Sequence, residues 1–526
     1  MTIAPMLFGE ASMSRGAGRL SSETPSATID FVPASSSAGQ IRPLLRRLFD
    51  TLEAKRIRYC HWKSNMRLAE TLAGDEDVDI LIDRRQTSEF LTVIADVGFK
   101  LTQSRGGIGH PGVVHALAVD ENSADLLHLH IYFQIVSGDS LVKNYRFAIE
   151  DALLGQTRML NGIRVPTSEA EIVVFALRAA LKHVNLIEIL MARRDAGKMA
   201  DEMNWLRDAA RMDASACLCE NWFPELDPAL FRQAVAVFAD RKTTLWIRIR
   251  IGARIARALR GRRRYRNGRA LFCRMHHVAA LLSARMQRRR DLVLQTGGAI
   301  VALVGPKGTG KSTLTAAIAK CFGRHLDVVH VHVGKPPPTA ATWIAHMLVP
   351  IARRFFPGEV SGAYESSERR SEKRYSLLFT LRMVMLAYDR RILLRRAQRI
   401  ATGGGLVICD RYPAETIGAI DSSCFDDAAI KSCPSRLKRW LMLRERSIYR
   451  SLPRPSLVVR LVAPIETAIS RDAARIKESG PNAEAVRRRW TLERSGEFAT
   501  NVVAIETDRP LDETVKAIIR AVWTAL

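Results

Sequence analysis

The sequence lacks any run of about 18 uninterrupted apolar residues, the length a helix needs to cross a bilayer. The nearest stretch, Ile172 to Ala192, is broken by Arg178, Lys182 and Glu188. The N-terminus has no basic stretch leading into an apolar one, so it predicts no secretory signal. Cysteine is sparse and scattered: Cys60, Cys217, Cys219, Cys273, Cys321, Cys409, Cys424 and Cys433. Only Cys217 and Cys219 are close, and nothing accompanies them at zinc-ligand spacing. The pattern predicts free thiols in a reducing compartment, hence a cytoplasmic protein. No internal repeat is found. What is present is globular: 47% hydrophobic and 25% charged residues exclude collagen-like, low-complexity and wholly disordered classes. At 526 residues the chain is too long for one ordinary core, which predicts two or three domains.

Acid is missing from one long segment. The chain holds 80 basic and 54 acidic side chains, a formal net charge of +26. Residues 241–290 alone contain 17 Lys and Arg and no Asp or Glu. Most of the excess therefore belongs to that segment.

Residues 1–40 are rich in Ser, Ala and Gly and predict a disordered tail. A helix is expected from Ile41, with Leu44, Leu45, Leu48 and Leu52 at helical spacing. A strand at Tyr59 to Trp62, a Gly-Asp-Glu turn and a strand at Val78 to Ile82 follow. A helix at Ser88 to Val97 ends at Gly98, and strands are expected at Val113 to Val119 and Leu126 to Phe133. These elements make an α/β domain over 41–168. The pattern of 169–295 is helical and strongly basic, and reads as a linker region. Apolar runs at Gly297 to Val304, Val328 to Val333, Leu406 to Cys409, Leu457 to Val462 and Val502 to Ile505 alternate with helical stretches. That alternation predicts a parallel sheet with helices on both faces over 296–526, so the fold class is α/β.

The strongest signal is Gly305-Pro306-Lys307-Gly308-Thr309-Gly310-Lys311-Ser312, which fits Gly-x4-Gly-Lys-Ser/Thr at every fixed position. The strand Ile300 to Val304 precedes it and a helix-forming run from Thr313 to Cys321 follows. Glycines let successive backbone N–H groups turn inward toward phosphate oxygens, and the following helix adds its positive end. Lys311 is placed to reach the β- and γ-phosphates of ATP, and the Ser312 hydroxyl to ligate Mg2+. A second motif, Gly403-Gly404-Gly405-Leu406-Val407-Ile408-Cys409-Asp410-Arg411-Tyr412, is a strand ending in an acid and then an arginine. The acid suits magnesium. The arginine suits a second, acceptor phosphate, which a motor does not need.

Ala387-Tyr388-Asp389-Arg390, the glycine run and Asp410-Arg411-Tyr412 resemble the thymidylate kinase pattern, over about Gly297 to Leu526. Leu457 to Lys477, with Arg471 and Arg475, is similar to that family's approach to its lid. The resemblance implies that Arg390 and Arg411 hold the acceptor's phosphate. It also implies that Asp410 orients magnesium or the acceptor, and that Arg471 or Arg475 neutralises the transferring group. The chain departs from the family on the acceptor side. Gly334-Lys335-Pro336-Pro337-Pro338 replaces its Arg-Glu-Pro, and Glu415 to Asp421 replaces the residues that follow Asp-Arg-Tyr.

Trp62-Lys63-Ser64-Asn65 and Gly74-Asp75-Glu76-Asp77-Val78-Asp79 resemble a nucleotidyltransferase of the polymerase-β type. On a strand, Asp77 and Asp79 share a face and offer two carboxylates for magnesium. An acidic turn entering an ordinary strand is the alternative. Lys63-Ser64 departs from the family's Gly-Ser. The expected third carboxylate strand reads Leu126-Leu127-His128-Leu129-His130, with Asp125 at its edge. His128 and His130 share a face, as ligands or as hydrogen-bonded structure.

In the basic segment, Ile247, Ile251, Ile255 and Leu259 recur at i+4 beside Trp246. Three readings stay open: packing between domains, contact of 241–290 with an anionic membrane surface, and nucleic-acid binding. Aromatics there are few (Trp246, Tyr265, Phe272), which ranks nucleic acid last. The expectation is an ATP- and Mg2+-dependent kinase for a small phosphorylated acceptor. A nucleoside monophosphate, dTMP foremost, leads; a sugar acceptor or a nucleotide-dependent switch or scaffold is the alternative. The reading admits peripheral membrane contact and a homodimer.

Overall fold

The structure is a computed structural model. It describes residues 41–526 except 106–108, 185, 288–291, 307, 341, 345, 346, 348–374, 420, 474–486, 488, 489, 491–495 and 499, and the side chains of 186–196, 472 and 473. The predicted tail at 1–40 lies outside the described residues. The chain divides into two compact units. Unit 1 comprises Met1–Lys100, Gly106–Asp120 and Leu127–Ser283, and unit 2 comprises Leu101–Arg105, Glu121–Leu126 and Ala284–Leu526.

The strands in chain order are β1 (Tyr59–His61), β2 (Val78–Ile82), β3 (Lys100–Ser104), β4 (Val113–Val119) and β5 (Leu126–Tyr132). In unit 1, β1, β2, β5 and β4 lie side by side in that order. β1 runs antiparallel to β2, and β2 runs parallel to β5 with Val78 opposite Leu129 and Asp79 opposite His130. Helices Pro43–Ala54 and Thr87–Val97 bury Leu45, Leu48, Phe90 and Val93. Gly98 closes the second helix at φ +102°, a left-handed turn that glycine adopts without a Cβ clash.

Helices follow from Ser168–Lys182 to Leu245–Ala258. The first starts at Thr167, whose hydroxyl accepts from the Ala170 N–H, with Glu169 and Glu171 in its positive first turn. Leu177, Phe231, Phe238, Ile251, Ile255 and Leu259 share one buried cluster with Trp62, Leu81, Tyr132 and Phe147. Of the stretch read from the sequence as a linker, the part up to Leu259 is thus packed into the core of unit 1. The helix crossing is close: a Cβ on Gly252 would lie 2.6 Å from the Ala180 carbonyl. The i+4 stripe predicted at 247–259 is real, but it turns inward from Ile251 onward, while Ile247 and Trp246 stay exposed.

Two small hairpins, β6 (Val136–Ser137) with β7 (Tyr145–Arg146) and β8 (Thr157–Leu160) with β9 (Ile163–Pro166), complete the strands of unit 1. In unit 2, β10 (Leu292–Leu294) pairs antiparallel with β3. The main sheet contains β11 (Ala299–Val304), β12 (Val328–His332), β13 (Leu406–Asp410), β14 (Leu457–Val462) and β15 (Val502–Glu506). All five are parallel, in the order β12-β13-β11-β14-β15. The inner strands of such a sheet are covered on both faces, which is why β11, β13 and β14 read as nearly continuous apolar runs. Leu394, Ala397 and Ala401 of the helix Leu377–Thr402 pack against Ile300, Ala302, Val407 and Cys409. The chain leaves central β11 toward one edge and returns toward the other. That reversal opens a crevice at the strands' carboxyl ends, where ligands bind in such sheets.

Candidate functional site

The loop 305–310 leaves β11 at that crevice and enters the helix Lys311–Phe322. Its glycines are dictated by backbone. Gly305, Gly308 and Gly310 have φ of +150°, +91° and +81°. A Cβ on Gly305 would meet the Leu461 carbonyl oxygen at 2.6 Å, and one on Gly308 the Ala468 oxygen at 2.5 Å. Thr309 is buried, and its hydroxyl donates to the Pro306 carbonyl at 2.8 Å. The Lys311 ammonium donates to the carbonyls of Gly305 (2.6 Å) and Pro306 (2.9 Å), so it lies against the loop itself. Ser312 and Thr313 are exposed on the first helical turn. Lys307 lies outside the described residues.

Asp410 ends β13 directly beside the loop strand, with Leu303 as its partner across the ladder. On its other side His332, in register on β12, approaches Asp410 Oδ2 with Nδ1 at 3.0 Å. Asp410 Oδ1 is buried and has no hydrogen-bond partner among the described residues. A buried carboxylate oxygen left open calls for a cation or a water. Asp410 and the Ser312 hydroxyl are both hard oxygen donors, the chemistry that suits Mg2+. Burial pushes the neighbouring His330 below the ordinary imidazole pKa, partly opposed by Asp410.

Arg411 is held in the left-handed region at φ +70°, a conformation rare for a side-chain-bearing residue and concentrated at functional sites. Its N–H donates to the Leu303 carbonyl at 3.0 Å. Its guanidinium donates to Asp421 Oδ2 at 3.3 Å. Its side chain lies over Gly334, where a Cβ would stand 2.8 Å from Arg411 Cδ. Arg390 is placed differently. It is buried, and it donates to Asp421 Oδ1 at 2.5 Å and to the carbonyls of Val333 (3.2 Å), Gly334 (3.2 Å) and Asp421 (2.9 Å). The resemblance assigned Arg390 to an acceptor phosphate, but here it is an internal strut that fixes Asp421 and the 333–334 loop. Asp421 thus joins both arginines, and Arg411 is the more exposed of the two. Arg471 donates to the Thr507 carbonyl at 2.8 Å. Arg475 lies outside the described residues.

A cavity of about 390 Å³ opens beside Tyr412. Its walls include Arg446, Arg450, Arg454 and Phe498. Neither Arg390 nor Arg411 lines it.

The N-terminal sheet assembles a second polar cluster. Asp77, just before β2, accepts from His128 Nδ1 at 3.0 Å, and Asp79 accepts from His130 Nδ1 at 3.2 Å. The shared face predicted for the two acids and for the two histidines therefore holds. The Lys63 ammonium lies 2.6 Å from Asp79. Burial alone would raise Asp79, but Lys63 and His130 outweigh it and hold the carboxyl well below the usual range. The same attraction keeps Lys63 above its ordinary value despite burial. Lys63 thus neutralises one of the two acids that the sequence offered for magnesium. His115 on β4, unmarked in the sequence reading, joins the cluster with Nδ1 3.1 Å from His128 Nε2. Burial, then the neighbouring His130 and His128, push it down to about 2. Its only sequence signal was a polar residue in an apolar strand. A cleft of about 350 Å³ runs past Lys63, Ser64, Asp77 and Asp79.

No family model matches the chain. It is similar to the uncharacterized ATP-binding protein YghR of Escherichia coli K12, 28% identical over 239 residues, which is 42% of this chain and 86% of that protein. It is also similar to the uncharacterized ATP-binding protein YghS of the same strain, 25% identical over 247 residues, which is 46% of this chain and 99% of that protein.

Proposed function

We propose that this chain is an ATP- and Mg2+-dependent P-loop phosphotransferase whose acceptor is a small phosphorylated molecule. A nucleoside monophosphate is the leading class and dTMP the first compound to try. The observation that carries the reading is the pair at the end of β13: Asp410, one oxygen of which has no partner among the described residues, and Arg411 in a left-handed backbone next to it. The ATP-binding names of two relatives support the nucleotide.

In this reading the N–H groups of the loop and the first helical turn receive the phosphates of ATP. Lys311 swings from its two loop carbonyls onto the β- and γ-phosphates. Ser312 and Asp410 would hold Mg2+, which would supply charge neutralisation to the phosphates. Arg411 orients the acceptor through its phosphate while Asp421, anchored by Arg390, fixes its fork. Arg471, which donates to the Thr507 carbonyl at 2.8 Å, is the candidate that neutralises the transferring group. ADP release measured against a panel of nucleoside monophosphates and sugars tests this. A phosphorylated product with one class names the acceptor. ATP hydrolysis without any phosphorylated product overturns the transferase and leaves a switch.

The basic segment adds a location. The helix Asn267–Met286 exposes Leu271, Phe272, Met275, Leu282 and Met286 amid arginines, and buries only Ala270. Among the described residues no helix is long and apolar enough to cross a membrane. An apolar stripe rimmed by cations fits the surface of an anionic bilayer. Co-sedimentation with phosphatidylserine vesicles, lost on Phe272→Glu with Met275→Glu, is the expected result. Equal sedimentation of the variant overturns it.

A further inference from the structure

We infer that His115, His128 and His130 form a binding site for one divalent transition-metal ion of the zinc class, built into the sheet of unit 1. This is independent of the kinase reading. β5 lies between β2 and β4, so residues alternating along it meet both neighbours on one face. His128 and His130 stand on that face two residues apart, and His115 reaches them from β4. One nitrogen from each of the three rings falls within 4.8 Å of the others.

Two details argue for a metal rather than a set of stacked rings. His115 Nδ1 and His128 Nε2 are 3.1 Å apart. Two nitrogens bound tetrahedrally at zinc distances are about 3.3 Å apart, close to this spacing, so an ion fits once each ring turns its lone pair from its neighbour toward the ion. The other ring nitrogens are already oriented. His128 Nδ1 is held by Asp77 and His130 Nδ1 by Asp79. Carboxylates behind histidines fix the tautomer that leaves Nε2 for the metal, which is how metal-binding imidazoles are commonly supported. The donor chemistry selects the ion. Asp79 is neutralised by Lys63, which disfavours hard Mg2+, while three imidazoles suit Zn2+, Co2+, Ni2+ or Cu2+. The carboxylates that the sequence offered as magnesium ligands thus become the orienting groups of a nitrogen site.

The test uses the full chain, stripped with a chelator and titrated with Co2+ and then Zn2+. The expected result is one Co2+ per chain with the visible bands of tetrahedral nitrogen coordination, displaced by one Zn2+. His115→Ala and His130→Ala each weaken binding by at least about 100-fold, and Asp77→Asn by about 10–100-fold. His276→Asn, an exposed histidine, changes nothing. If an alanine variant fails to fold, Asp77→Asn carries the test, since all three imidazoles remain. A wild-type chain that gives no Co2+ bands, or histidine variants that fold and bind Co2+ as tightly as wild type, overturns the site.

Discussion

Asp410 and Asp79 stand on strands of two parallel pairings and meet opposite fates. Asp410, beside a glycine loop, has one oxygen without a partner among the described residues. Asp79 is closed by an ammonium at 2.6 Å and an imidazole at 3.2 Å. An acid on a strand therefore states no chemistry by itself. Its neighbours across the ladder decide whether it receives a hard cation, as β11 allows for Asp410, or orients another ligand, as His130 requires of Asp79.

The largest expected effect probes how Arg411 is held. Asp421→Ala leaves the buried Arg390 charge without its carboxylate. Removing one partner of a buried pair is destabilising by about 3–5 kcal/mol. Denaturant unfolding should show that loss in the transition of unit 2. A loss under about 1 kcal/mol would mean that the pair is solvated and is no strut. Next comes Lys311→Ala, which removes a charge from the phosphates while leaving the glycine loop. Turnover should fall at least about a hundredfold. Co2+ binding at the histidines should not move, because His115, His128 and His130 all belong to unit 1. Near-normal turnover would place catalysis elsewhere.

Much of this was legible in the sequence, for a physical reason. The central strands of the parallel sheet, β11, β13 and β14, are largely buried, so each announced itself as an apolar run: the predicted Leu457 to Val462 is β14 as it stands. In unit 1 the predicted Val113 to Val119 is likewise β4. The phosphate loop was legible because steric exclusion leaves only glycine at φ +91° beside Ala468. The partners of single polar groups were not. His115 lies 13 residues from His128 and meets it only through sheet pairing. Arg390 looked like a ligand because the sequence does not show Asp421, 31 residues away, folding back onto it. The helical stretch after Glu169 looked like a linker although its stripe was visible, because i+4 spacing does not say what a stripe packs against; from Ile251 onward it packs into the core of unit 1.

A prediction of intermediate size compares the two units through pH. Burial pushes Glu171 in unit 1 and Glu445 in unit 2 each up to about 7. For a carboxyl raised in the fold, the stabilising contribution is complete below the unfolded value near 4.5 and is lost as pH rises through about 7. Stability should therefore fall between pH 5 and pH 8. Glu171 accepts the Asn65 N–H at 3.3 Å, which glutamine preserves. Glu171→Gln should remove roughly 2–3 kcal/mol of that pH dependence and leave the share due to Glu445. An unchanged slope would show that Glu171 stays ionised in the fold.

The smallest effect is the most discriminating for the acceptor. Arg411→Lys keeps the charge beside Asp410 and loses the planar fork that grips a phosphate with two parallel bonds. One charge-assisted contact is worth about 1.5–3 kcal/mol, so the acceptor's KM should rise more than about tenfold. Affinity for ATP should barely change, since Lys311 and the loop amides hold it from the other side of Asp410. Lysine also lacks the geometry to reach Asp421 while facing a phosphate, so the variant loses orientation as well as contact. Two titrations on wild type and variant decide the matter, one varying acceptor and one varying ATP. If ATP binding weakens and the acceptor KM stays put, Arg411 serves the nucleotide. The strained backbone after Asp410 would then belong to ATP, and the phosphorylated acceptor would lose its anchor.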